Sequence, residues 1–147
     1  MATAMTVDEF RTFFIFRTAP EVSLTLESFG VRLRERDPEA FTRVWRSNLS
    51  GTDSLSFSFR HDDAHHDGLL GLDDSPTVGV EPLTAAEAAV FATWLRSAVL
   101  EPGAPVDFTV EQALETEMPR QPLPTTPGQI HDALTGFAKT VLEAGES

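Results

Sequence analysis

Three of the four histidines and three aspartates fall within seven residues, His61-Asp62-Asp63-Ala64-His65-His66-Asp67. Neutral imidazole and carboxylate are the ligands that zinc, manganese, iron or nickel use. A metal site built here would draw on His61, His65, His66 and Asp63, with His61 held at the end of a preceding strand and a loop returning the others. The spacing fits neither H-E-x-x-H nor a calcium-loop pattern. The competing reading is a solvated polar loop between Phe59 and Leu69.

Other reaction chemistries find less to work with. There is no cysteine, so thiol catalysis, disulfides and zinc–thiolate sites are excluded. No G-x-S-x-G elbow is present. Gly68-Leu69-Leu70-Gly71 lacks the lysine and the third glycine of phosphate-binding loops. The fourth histidine, His131, stands in the first turn of a helix, where exposure is the usual condition.

Charge is the stronger feature. The chain of 147 residues carries net charge −12. Residues 1–60 balance eight Asp/Glu against eight Arg, so the whole excess lies in residues 61–147. Asp107, Glu111, Glu115 and Glu117 share one segment, and Asp62, Asp63 and Asp67 share the loop. Such a field repels nucleic-acid backbones and favours a basic protein partner or a cation; the competing reading is solubility alone. The ten arginines against one lysine look like coding bias rather than arginine chemistry.

These groups must be positioned by a scaffold. Ser54 to Arg60 alternates cleanly, as a half-buried antiparallel strand does. Phe10 to Arg17, Thr77 to Val80 and Val106 to Val110 also read as strands. Leu114–Met118 is a possible short extra strand, on which Glu115 and Glu117 would alternate. Residues 21–35 divide between a helix sharing Val22, Leu26, Phe29 and Leu33 on one face, and a hairpin. Alternation and Gly30 favour the hairpin. Three helices are signalled. One would open at Asp37-Pro38 and run through Phe41, Val44, Trp45 and Leu49 to Gly51. A second opens on the Thr84–Glu87 capping box, and a third on Thr126–Gln129 with Pro127 just inside.

The expected architecture is one α+β domain over residues 1–147, a mostly antiparallel sheet packed on one side by three helices. The N-terminus lacks a basic region followed by a signal-length apolar run. The run Phe13–Phe16 is far short of a membrane span, so a cytoplasmic, non-membrane protein is expected. The principal functional expectation is a non-enzymatic protein-binding domain, immunity-protein-like or chaperone-like. It would recognise a basic partner through Asp62, Asp63, Asp67, Asp107, Glu111, Glu115 and Glu117, with no cofactor and no nucleic acid. The alternative is a small metal-dependent enzyme or metal-binding domain using a divalent transition metal at the His61–Asp67 cluster. The residues alone set no oligomeric state.

Overall fold

The structure is a computed structural model describing residues 6–46, 53–72 and 75–145. Seven strands form one sheet: β1 (Thr12–Thr18), β2 (Phe41–Trp45), β3 (Ser54–His61), β4 (Ala64–Gly71), β5 (Thr77–Leu83), β6 (Val106–Val110) and β7 (Gln121–Pro122). Their order is β2-β3-β4-β5-β1-β6-β7, and every pairing is antiparallel. The α+β class expected from the sequence is the class observed.

Alternation along the strands separates two faces. Phe14 and Phe16, Leu55, Phe57 and Phe59, Leu70, Val78 and Val80, and Phe108 are buried on one of them. Three helices cover that face: α1 (Leu26–Arg36), α2 (Ala85–Trp94) and α4 (Pro127–Gly145). The ring contacts fix each one. Phe29 of α1 meets Phe57 with centroids 4.9 Å apart. Phe91 of α2 meets Phe16 at 5.9 Å. Phe137 of α4 stands edge-on to Phe108 at 5.4 Å. A fourth, five-residue helix, α3 (Glu111–Glu115), follows β6, and a π-helical stretch, Leu95–Val99, continues α2. No described helix is long and apolar enough to cross a membrane.

Four local expectations are corrected. Residues 21–35 hold α1, not a hairpin. Thr25 and Ser28 form a reciprocal capping box, and Phe29 and Leu33, four apart, supply the buried stripe. The helix expected from Asp37 to Gly51 is instead β2 over Phe41–Trp45, while Leu49 and Gly51 lie outside the described residues. Asp37 closes a helix rather than opening one. Its N–H donates to the Leu33 carbonyl at 2.9 Å, and its carboxylate accepts from Glu39 N and Arg60 N. The strand considered at Leu114–Met118 is the end of α3 and a turn. Met118 N donates to Ala113 O and Glu117 N to Leu114 O, the paired bonds of a Schellman closure. Finally, the loop expected between Phe59 and Leu69 shrinks to the two-residue turn Asp62-Asp63, and β4 takes in His65, His66 and Asp67.

Candidate functional site

The register gathers chain ends at one end of the sheet. Because β3 and β4, β4 and β5, β5 and β1, and β1 and β6 all run antiparallel, the β3–β4 turn lies at the same end as the last residues of β5, the first of β1 and the last of β6. Asp62 and Asp63 form that turn, and Glu111 and Glu115 sit on α3 directly after β6, with Glu117 just beyond. Five of the seven carboxylates assigned to partner binding therefore share one rim, and all five are exposed. Asp67 lies inward from it, on the helix-free face of β4, where its neighbour across the sheet is Glu81. Asp107 sits toward the opposite end and is not a free charge. It pairs with Arg17 at 3.0 Å and with Arg120 at 3.6 Å.

The rim has an unusual backbone. Among the described residues, the non-glycine positions with positive φ are Asp62 (49°), Asp63 (67°) and Glu117 (58°). The first two are the central positions of a two-residue hairpin closed by His61 and Ala64. That turn takes positive φ at both places and favours Asn-Gly or Asp-Gly. Glu117 occupies the left-handed position of the Schellman closure, normally glycine's. The left-handed conformation costs an ordinary L-residue roughly 1–2 kcal/mol. Asp62 suits the first position of that turn, whereas Asp63 and Glu117 stand where the backbone alone favours glycine.

The histidine cluster is dispersed by strand alternation. His66 pairs with Phe59 and shares its helix-covered face; the next pairs along the hairpin put His65 opposite Arg60 on the other face. His65 Nε2 lies 3.2 Å from Asp67 Oδ1 in solvent. His61, level with Ala64 on the covered face, has Nδ1 3.3 Å from Arg36 Nη2 and Nε2 3.4 Å from Asp62 Oδ2. Among the described residues, no three His, Asp or Glu side chains come together as a metal-binding group.

A buried polar group lies just beneath the rim. His66 is 1 % exposed. Its Nδ1–H donates to the Pro82 carbonyl at 3.0 Å. Its Nε2 has no hydrogen-bond partner and faces Glu87 Oε2 at 3.7 Å. Burial pushes the imidazole below its ordinary value, with smaller depressions from His61 and Arg11 and opposition from Pro82 and Glu87. Glu87 caps α2 by accepting from Thr84 N at 2.9 Å and binds Arg11 at 2.7 Å. Burial raises the carboxyl, but the Thr84 bonds and the nearby Arg11 and His66 outweigh it and hold the group low. Arg36 lies against the Phe59 and Trp94 rings, 5.7 and 5.5 Å from their centroids. Its charged form is disfavoured chiefly by burial. The sequence identifies Glu87 only as a capping residue; nothing in it signals that His66 and Arg11 converge on it, because one lies on β4 and the other just before β1.

This geometry can hold charge at a rim and tie the rim to the core. No protein-family model, curated protein or solved structure shows significant similarity to the chain.

Proposed function

We propose that the chain is a cytoplasmic, non-enzymatic protein-binding domain, immunity-protein-like or chaperone-like, that recognises a basic protein through Asp62, Asp63, Glu111, Glu115 and Glu117. The observation that carries this reading is the placement of two exposed carboxylates, Asp63 and Glu117, at left-handed positions that local preference gives to glycine, on the rim they share with Asp62, Glu111 and Glu115. Strained residues that local preference would replace are the ones that function tends to retain. A need for solubility alone gives no reason to put acid there, since ordinary surface positions hold charge without backbone cost. Asp107, neutralised by Arg17 and Arg120, drops out of the recognition set, and Asp67 is peripheral to it.

The test is capture on the immobilised protein at low salt, followed by association kinetics with any basic protein retained in one-to-one amount. The association rate is expected to fall at least about tenfold between roughly 20 mM and 500 mM salt, as steered encounters do. Recovery of no basic protein, or a rate indifferent to salt, removes the proposal.

A further inference from the structure

The two edges of the sheet are unlike. At one, β7 is two residues long and contains Pro122, so pairing there is blocked by shortness and a missing donor. At the other, β2 is five residues without proline, and four of the five are exposed. Seven large hydrophobic side chains are exposed among the described residues, and three belong to this one strand: Phe41 at 59 %, Val44 at 48 % and Trp45 at 48 %. The charge that could guard the edge, Arg43, is folded down, its guanidinium 4.0 Å from the centre of the Trp45 ring. Trp45 is itself tied to β3 by its indole N–H bond to Ser56 Oγ at 2.9 Å.

Charge selects the occupant. Residues 26–60, which contain α1, β2 and β3, hold six arginines and five acids, net +1; the remainder of the chain is net −13. A second copy therefore meets the least repulsion at this edge. We infer that β2 is a homodimer edge, where two copies pair antiparallel about a two-fold axis perpendicular to the sheet and form one continuous sheet of fourteen strands. Such an axis pairs only residues on the same face. Centred on Arg43 it would oppose two guanidinium groups, a destabilising pair. Centred on Val44 it sets Val44 against Val44 and Arg43 against Trp45 of the second copy. That exchange extends the Arg–Trp stacking already present within each chain.

Sedimentation equilibrium on the full chain decides this. The expected mass is twice 16.1 kDa, and the dimer dissociation constant should fall at least about threefold between roughly 20 mM and 300 mM salt, because screening weakens the repulsion of two acidic bodies. This dependence is opposite in sign to that of basic-partner binding. Val44→Lys and Val44→Glu should each be monomeric, and an equimolar mixture should form the heterodimer. A wild-type monomer at both salt concentrations, or a dimer that persists in Val44→Lys, overturns the inference. Should either variant misfold, amide exchange of wild-type Phe41–Trp45 decides: slowing with concentration supports the edge pairing, and concentration-independent exchange overturns it.

Discussion

His66 presents Nε2 to Glu87 Oε2 across 3.7 Å while Nδ1–H is committed to the Pro82 carbonyl. The carbonyl can only accept, so the neutral ring must carry its proton on Nδ1 and turn a lone pair toward a carboxylate. Protonation of Nε2 would turn this confrontation of acceptors into an ion pair, but only by placing charge in a site that excludes water. Burial is the larger effect at this histidine. The pair links β4 to the first turn of α2, where Glu87 also serves Thr84 and Arg11.

Acid should therefore destabilise the fold in two stages. His66 is held below its ordinary 6.5 in the folded state, so the unfolded chain takes up the proton first and stability is lost as pH falls from that value. Glu87 is held below its ordinary 4.5, so its contribution is lost at still lower pH. Denaturant midpoints measured at intervals from about pH 8 to about pH 4 should fall monotonically. In His66→Phe the decline between roughly pH 7 and pH 5 should flatten, with a loss of about 1 kcal/mol at high pH from the unpaired Pro82 carbonyl. A variant with the wild-type slope over that interval would show that His66 does not control it.

Glycine should stabilise the rim. Asp63→Gly and Glu117→Gly each relieve a left-handed L-residue, and each should raise unfolding free energy by about 1 kcal/mol. Chemical denaturation checks this directly. A fall in stability for either would mean that the carboxylate makes a contact worth more than its backbone cost.

Arg96 should be the most sensitive arginine. It donates to the carbonyls of Pro124 at 2.6 Å, Leu123 at 2.6 Å and Ala104 at 2.9 Å, fastening the segment before α4 and the loop before β6 to the π-helical stretch. Arg96→Met leaves three carbonyls without this donor and should cost about 2–4 kcal/mol. Arg32→Met, which removes only an exposed pair with Glu35 at 3.2 Å, should change stability by less than about 0.5 kcal/mol. Equal effects of the two would contradict the structural role given to Arg96.

Much of this scaffold is legible in the residues. Thr84 and Glu87 announce α2 through a capping box whose two hydrogen bonds both form. Ser54 to Arg60 reads as β3 because its serines and its apolar residues, Leu55, Phe57 and Phe59, keep strict alternation. The failures have a physical cause at Phe41, Val44 and Trp45. Spacings of three and four suit a helix, yet Arg34 Nη1 bonds Thr42 Oγ1 at 2.7 Å and β3 offers a pairing edge, so tertiary contacts decide the conformation. At Thr25 the capping partner is Ser28 instead of the usual Glu or Gln, and the helix start goes unnoticed. The acidic rim could be named residue by residue but not recognised as a rim, since β5 and β1 lie between Asp63 and Glu111 in the sheet. The left-handed backbone at Asp62, Asp63 and Glu117 leaves no trace in composition.

The most direct measurement combines Asp62→Asn, Asp63→Gly and Glu117→Gly in one chain and compares it with wild type for unfolding free energy and for association with the captured basic protein. The triple variant should be more stable by about 2–3 kcal/mol and should associate at least about tenfold more slowly. A variant that gains stability and binds its partner at the wild-type rate would contradict the assignment of those carboxylates to recognition.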